Sequence, residues 1–125
     1  MTYFLTTDDA LEVASLVTGE PARVRDLADL TAALERPRQT ANGQEVYPGI
    51  WAKAAVLMEG LGRGYPLVDG NKRLTWNATW LFLGVNGCPL AGPLDEEAAH
   101  EFMYGLVRGR LTVPAIASGL RRFAA

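Results

Sequence analysis

The chain has only one cysteine and one histidine among its 125 residues. A lone cysteine, Cys88, excludes an intramolecular disulfide and a cysteine cluster for zinc. His100 alone cannot supply the several imidazoles of a histidine-based metal site. The sequence therefore excludes the disulfide frameworks and zinc sites that stabilise many small domains.

The chain also lacks a surplus of positive charge and a long apolar run. Its formal net charge is −2 and its pI is about 5.3, whereas general nucleic-acid binders usually carry a basic surplus. Apolar stretches are interrupted well before the length of a membrane span, and the first residues do not read as a secretory signal. We therefore expect a cytoplasmic protein with no membrane segment and no direct nucleic-acid partner.

What is present is typical of a single globular domain spanning residues 1–125. Hydrophobic residues make up 49% of the chain and charged residues 21%, which is enough for one modest core. The apolar spacing predicts six helices and little strand. Helices are expected at about residues 7–17, 24–35 and 70–86, another from Pro48, and two more capped by Asp95 and Thr112. The predicted fold class is all-α.

Apolar positions also predict which helix faces are buried. Leu27, Leu30 and Leu34 share one face of the second helix. The fourth helix is apolar almost all round and is expected to be central. Its expected inward face consists of Leu74, Ala78, Leu81 and Val85. The glycines between residues 60 and 64 are expected to loosen the end of the third helix.

Residues 38–47 interrupt the helical pattern. Asn42-Gly43 is a strong signal for a tight turn, and polar residues flank it on both sides. The segment fits either a small polar hairpin or an ordinary surface turn. From the residues alone, the surface turn is favoured.

The segment 65–73, which reads Tyr-Pro-Leu-Val-Asp-Gly-Asn-Lys-Arg, has the parts of an anion site. It leads into a helix N-terminus, where unpaired N–H groups and the helix dipole attract phosphate. Gly70 lets the backbone approach a ligand closely. Lys72 and Arg73 place two cations at an end where the dipole disfavours them, so they call for an anionic partner. Asp69 is placed to hold Mg²⁺ or to pair with one of these cations.

The same segment also fits a simpler structure. Asp69 would then be the N-cap of the helix, and the basic pair would be solvated. On physical grounds the two interpretations are about equally supported, and neither the Walker pattern nor the dinucleotide-binding glycine pattern is present.

Segment 65–73 resembles the active-site motif of the Fic/Doc family, His-Pro-Phe-x-(Asp/Glu)-Gly-Asn-Gly-Arg. The matching positions are Pro66, Asp69, Gly70, Asn71 and Arg73. Lys72 favours the Doc branch, which has lysine after the asparagine. Trp76 does so too, because nucleotidyl-transferring relatives have an arginine at that position. The resemblance extends over essentially the whole chain. It implies a six-helix fold with a central helix pair and a small β-hairpin flap, with Leu67 anchoring the loop in place of the family's phenylalanine.

The resemblance implies a toxin of a type II toxin–antitoxin module. Doc-like proteins are protein kinases that use ATP and Mg²⁺ to phosphorylate a threonine of translation elongation factor Tu, which arrests translation. The implied partners are a Phd-like antitoxin and this elongation factor. The implied target-docking flap consists of Gln39, Thr40, Ala41, Asn42 and Gly43. The alternatives are a protein adenylyltransferase, which transfers AMP, and a non-catalytic pseudoenzyme that binds antitoxin.

By position, residue 65 would be the general base, and Asp69 would hold Mg²⁺ or orient that base. The implied phosphate-binding residues are Gly70, Asn71, Lys72 and Arg73. Tyr65 stands where the family has histidine. A phenol, with an ordinary pKa of about 10, is protonated at neutral pH, whereas an imidazole near 6.5 accepts protons. Because loss of a general base typically costs roughly 10²–10⁴-fold in rate, we expect nucleotide binding with poor phosphate transfer.

Residues outside the motif carry weaker functional signals. Glu59-Gly60 is the closest match to the inhibitory segment of some Fic proteins, but Ala55 stands where that segment has Ser or Thr. Inhibition of the activity should therefore come from another chain. His100 is expected to be a solvated surface residue rather than a substitute base. For Trp51, Trp76 and Trp80, core packing is the first interpretation and a partner groove the second.

Overall fold

The computed structural model describes residues 1–92 and 95–125, and these residues form six α-helices with a small hairpin. The helices are α1 (Thr7–Thr18), α2 (Leu27–Glu35), α3 (Ile50–Gly64), α4 (Asn71–Val85), α5 (Glu96–Val107) and α6 (Val113–Arg121). A 3₁₀ turn, Arg36–Arg38, follows α2, and strands β1 (Thr40–Ala41) and β2 (Gln44–Glu45) form the hairpin. The predicted six-helix fold with a small hairpin is confirmed. In these two ranges no helix is both long and apolar enough to cross a bilayer.

Helix α3 lies at the centre of the molecule, because residues 53–58 are all buried. It packs against α2, α4, α5 and α6, and α4 packs in turn against α1. The loop that carries the anion-site motif joins α3 to α4. The motif is therefore held between the two helices with the most extensive mutual packing in the described chain.

The glycines at the end of α3 do not loosen it, contrary to the expectation from sequence. A Cβ atom at Gly60 would lie 3.0 Å from the Cβ of Ala33 on α2, and one at Gly62 would overlap the side chain of Leu106 on α5. The helix stays regular to Gly64. Without side chains, these glycines let α2 and α5 pack directly against the α3 backbone.

Helix α2 begins three residues later than predicted. Asp26 caps it by accepting a hydrogen bond from the Asp29 N–H at 3.0 Å. The preceding residues are not helical, and Val24 pairs with Leu67 in an isolated antiparallel bridge. Leu27, which continued the apolar spacing, is 55% exposed, so its assignment to the inward face is wrong.

The buried face of α4 differs from the predicted one. Leu81 and Val85 are exposed. The buried residues are Leu74, Thr75, Trp76, Ala78, Thr79, Phe82 and Leu83. Two buried threonines are tolerated because their hydroxyls donate at 2.7 Å to the carbonyls of Asn71 and Thr75, one turn earlier.

Residues 38–47 form a hairpin rather than the plain surface turn favoured by the residues alone. Asn42 (φ 54°) and Gly43 (φ 77°) both have the positive φ that a two-residue type I′ turn requires. Lys53 of α3 holds the base of this hairpin from within the core. Its Nζ donates to the Tyr47 carbonyl at 2.7 Å and lies 3.1 Å from Oε1 of Glu45.

Candidate active site

The α3–α4 loop starts with an unusual backbone conformation at Tyr65. This residue follows the end of α3 in the left-handed region (φ 48°, ψ 56°), where glycine or asparagine is usual. Pro66 follows it, and a residue before proline is itself restricted towards extended conformations. Neighbouring residues must therefore hold position 65 in place.

Leu67 anchors the middle of the loop in the core, as the sequence predicted. It is 2% exposed. The side-chain amide of Asn71 fixes the backbone at this point, because its Oδ1 accepts from the Leu67 N–H and its Nδ2 donates to the Leu67 carbonyl, both at 2.9 Å. The Asn71 side chain thus shapes the loop, and its own polar atoms are committed to that task.

Helix α4 begins at an N-terminus that no side chain caps. Gly70 is the N-cap residue, with φ 84° and ψ 16°, and it makes no side-chain capping bond. The simpler interpretation, in which Asp69 caps the helix, is therefore wrong. The first N–H groups of α4 point out of the helix end, where they and the dipole favour an anion.

An open cleft of about 300 Å³ lies at this helix end. Its lining residues are Tyr65, Val68, Asp69, Gly70, Asn71, Lys72 and Arg73. All six residues predicted from the motif therefore surround one cleft, while their chemical roles stay predictions. Val68 was not predicted, and its exposed side chain also lines the cleft.

The two motif cations differ in their surroundings. Arg73 Nη1 donates to the carbonyl of Val17 at 3.1 Å, at the C-terminus of α1. Lys72 is exposed and, within residues 1–92 and 95–125, has no hydrogen-bond or ion-pair partner. The same holds for the exposed carboxylate of Asp69, so the predicted Asp69–Lys72 and Asp69–Arg73 pairs are not formed in the described part of the chain.

Glu59, the residue that matched the inhibitory segment most closely, is committed elsewhere. Its two carboxylate oxygens lie 3.0 Å from Arg36 Nη2 and 2.9 Å from Arg63 Nη1. Arg63 also donates to the carbonyls of Leu106 and Leu111. These contacts make Glu59 a structural residue that ties α3 to its neighbours.

A second groove runs beside the cleft between α4 and α5. It has a volume of about 240 Å³, and Lys72, Arg73 and Trp76 line it together with His100. His100 is exposed, as predicted. Trp76 is 8% exposed and packs edge-on against Trp80 and Phe123, which confirms core packing as its main role.

Residues 4–83 of the chain match the sequence model described as "Fic/DOC family". Over 125 residues, the chain is 41% identical to a curated protein from Mycolicibacterium smegmatis named Toxin Doc, and the match covers 100% of this chain and 96% of that protein. The chain belongs to the Fic/DOC family. As a Fic/DOC protein it is unusual at Tyr65, since the motif quoted above has histidine there.

Sequence reasoning missed Arg25, which contacts the start of this Fic/DOC loop. Its Nε donates to the Tyr65 carbonyl at 2.8 Å and its Nη2 to the Gly64 carbonyl at 2.9 Å. No local pattern signalled this contact, because Arg25 and Tyr65 are 40 residues apart in the chain.

Proposed function

We propose that this protein is a Doc-like toxin of a type II toxin–antitoxin module and that its α3–α4 loop binds the phosphates of ATP. The observation that carries the proposal is the cleft itself. An uncapped helix N-terminus, two cationic side chains and a carboxylate converge on it in a chain 41% identical to Toxin Doc. The family match supports nucleotide as the ligand class.

Each part of the cleft suits one feature of a polyphosphate. The first N–H groups of α4 would donate to phosphate oxygens, and Gly70 keeps the backbone accessible to them. Lys72 adds a mobile point charge, and Arg73 adds a planar donor that can bind an oxygen pair. In phosphoryl transfer such donors stabilise the charge that spreads over the transferred group.

The residues present fit a magnesium ion that is shared with substrate. Protein sites for Mg²⁺ in phosphoryl transfer commonly use one or two carboxylates together with substrate phosphates. Asp69 offers one exposed carboxylate on the wall of the cleft. The described residues contain no group of three or more carboxylate, histidine or cysteine side chains that could hold a metal without such help. Bound there, the ion would neutralise phosphate charge.

Tyr65 would weaken the transfer step. Its side chain is 40% exposed and lines the cleft, at the position from which the family's histidine would take the proton of the attacking hydroxyl. A phenol is a much poorer proton acceptor at pH 7 than an imidazole. The chain with Tyr65 should therefore bind nucleotide but transfer the γ-phosphate roughly 10²–10⁴-fold more slowly than a chain with histidine at this position.

The hairpin supplies a surface for the protein target. Its residues 40–46 are all exposed, and both strands are only two residues long. An extended peptide can add to such an edge through main-chain hydrogen bonds. We propose that the hairpin binds the segment of elongation factor Tu that carries the target threonine. Because this target is cytoplasmic, the proposed activity is cytoplasmic too.

Position 76 favours phosphate transfer over AMP transfer. Nucleotidyl-transferring relatives have an arginine there for the nucleotide phosphates. Here Trp76 is packed between Trp80 and Phe123 and supplies no charge. The cations available for phosphate come from Lys72 and Arg73, next to the helix N-terminus.

The test compares the natural chain with Tyr65→His and Tyr65→Phe on purified elongation factor Tu. ATP labelled on the γ-phosphate reports kinase activity, and ATP labelled on the α-phosphate reports AMP transfer. We expect γ-label on the factor with Tyr65→His, at least 100-fold faster than with the natural chain or Tyr65→Phe. Equal rates for all three chains, or transfer of α-label, would contradict the proposal.

A non-catalytic role is the second candidate, and Tyr65 is the observation that favours it. A toxin that only binds its antitoxin would not need a base in the cleft. In that case Tyr65→His would transfer neither label, yet the chain would still form a stable complex with a Phd-like antitoxin. Size-exclusion chromatography of the two coexpressed proteins measures this complex.

A further inference from the structure

A short segment between α1 and α2 braces the active-site loop through its backbone. The N–H groups of Arg25 and Asp26 both donate to the Pro66 carbonyl, at 2.8 and 3.0 Å. The Val68 N–H donates to the Arg23 carbonyl at 2.9 Å. These bonds pair residues 23–26 with residues 66–68 through the main chain, in an isolated antiparallel bridge.

The Arg25 side chain extends this contact to the end of α3. Its guanidinium bridges two consecutive carbonyls, those of Gly64 and Tyr65, at 2.9 and 2.8 Å. The last carbonyls of a helix have no partner within the helix, and the dipole there favours a cation. The other charged contact of Arg25, with Asp29 at 3.7 Å, is long and about half exposed, so it contributes little.

The bridged carbonyls flank the residue with the least favourable backbone of the loop. Tyr65 is left-handed and precedes a proline, and such conformations persist only when the surroundings over-determine them. We infer that Arg25 is a positioning residue that holds the backbone of residue 65 left-handed and so aims its side chain at the cleft. Any effect of Arg25 on phosphate transfer rests on the proposed function. The backbone conformation of Tyr65, by contrast, can be measured without nucleotide or target.

Asn71 and Arg25 hold different parts of the loop. The Asn71 amide fixes the backbone at Leu67, next to the helix N-terminus that would bind phosphate. Arg25 acts on the other side of Pro66, at the residue in the family's base position. Loss of the Arg25 side chain should therefore release residue 65 and leave the start of α4 in place.

The test is an NMR comparison of the natural chain with Arg25→Ala, Arg25→Lys and the matched control Arg23→Ala. Arg23 hydrogen-bonds to the described loop through its carbonyl alone, and the alanine variant keeps that carbonyl. The carbon chemical shifts of Tyr65 report its backbone conformation. Amide hydrogen exchange at Val68 reports the backbone pairing of residues 23–26 with residues 66–68. Exchange within α5 and α6 reports the stability of the rest of the fold.

We expect Arg25→Ala to lose the left-handed shifts of Tyr65 and to speed exchange at Val68 by about tenfold, with α5 and α6 unchanged. Arg25→Lys, which can still donate to one carbonyl, should keep the left-handed shifts with a smaller increase in exchange. Arg23→Ala should match the natural chain.

Two results would overturn the inference. One is a Tyr65 that stays left-handed, with unchanged exchange at Val68, in Arg25→Ala. The other is a loss of protection that is equal in the loop and in α5 and α6. Should Arg25→Ala not fold, Arg25→Lys decides, because an unchanged Val68 exchange there contradicts the proposed positioning. No nucleotide is used, so this result stands apart from the outcome of the phosphate-transfer assay.

Discussion

Gly70 faces Thr18 so closely that a Cβ atom built on the glycine would lie 2.7 Å from the threonine Cγ2. This contact joins the C-terminus of α1 to the N-terminus of α4. The bond from Arg73 to the Val17 carbonyl lies at the same junction. The C-terminus of α1 therefore lies directly against the N-cap of α4, and Gly70 is required there both for its positive φ and for its lack of a side chain.

Gly70→Ala should destabilise the protein and weaken its binding of tripolyphosphate. The substitution adds left-handed strain and an overlap with Thr18, together about 2–4 kcal/mol. Gly84→Ala is the matched control, since Gly84 lies in α4 with open space around its Cα. It should be neutral or stabilise by up to about 1 kcal/mol. Urea denaturation gives both values, and equal effects at the two glycines would contradict the close contact.

Lys72→Ala and Arg73→Ala should separate anion binding from structure. The exposed Lys72 side chain makes no hydrogen bond or ion pair with another described residue, so its loss should weaken tripolyphosphate binding about tenfold and leave the melting temperature unchanged. Arg73→Ala should weaken binding and also lower stability by about 1 kcal/mol, because the Val17 carbonyl loses a charged donor. Isothermal titration and thermal denaturation measure the two effects. A loss of stability in Lys72→Ala would contradict the assignment.

Asn71→Asp should damage the loop although it changes only one atom. The carboxylate still accepts from the Leu67 N–H, but it cannot donate to the Leu67 carbonyl, and it places negative charge beside the proposed phosphate site. We expect a loss of about 1–2 kcal/mol in stability and at least tenfold weaker tripolyphosphate binding. Asn77→Asp, farther along α4, is the control and should leave the affinity within about twofold. Similar affinities for both variants would count against the role of Asn71.

The capping box of α1 should make stability depend on acid pH. The Thr6 N–H, and then the Tyr3 hydroxyl, donate to the Asp9 carboxylate and hold its pKa below the ordinary value. Because the folded pKa is depressed, this contribution is fully present above the unfolded pKa of about 3.9 and is lost as the pH falls through the folded value.

Asp9→Ala should therefore cost about 0.5–2 kcal/mol at pH 7, and its deficit relative to the natural chain should shrink below about pH 4. Urea denaturation at pH 7 and pH 3 measures this. Glu12→Ala, at an exposed position of the same helix, should cost no more than about 0.5 kcal/mol at either pH. A deficit in Asp9→Ala that grows as the pH falls would contradict the sign of the pKa shift.

The helices could be predicted from sequence because their caps and apolar spacing are local. Asp95 and Thr112 both accept the expected capping bonds. The start of α2 was misplaced because Val24 continues the apolar spacing but pairs with Leu67 in a bridge instead of joining the helix. The hairpin was predicted only through the family resemblance, since two-residue strands leave almost no periodic signal.

The candidate site was predictable as far as it is contiguous in the chain. Segment 65–73 contains every residue that lines the cleft. The contacts that shape it come from distant segments, through Arg25 and the end of α1, and no local pattern indicates which residues will meet there. The close approach at Gly60 and Gly62 was likewise invisible, because a glycine in a helix predicts weakness until its neighbours are known.

The supports of residue 65 contact its main-chain carbonyl, an atom that every amino acid has. A codon change at this position can therefore replace the side chain in the cleft without removing the main-chain contact that holds the loop. Tyrosine and histidine codons differ at a single base, so one base change would exchange the phenol for an imidazole and leave this main-chain contact in place. Under the proposed function, a loss of phosphate transfer caused by Tyr65 would be reversible by one substitution, unlike a loss that arises from truncation or from a broken fold.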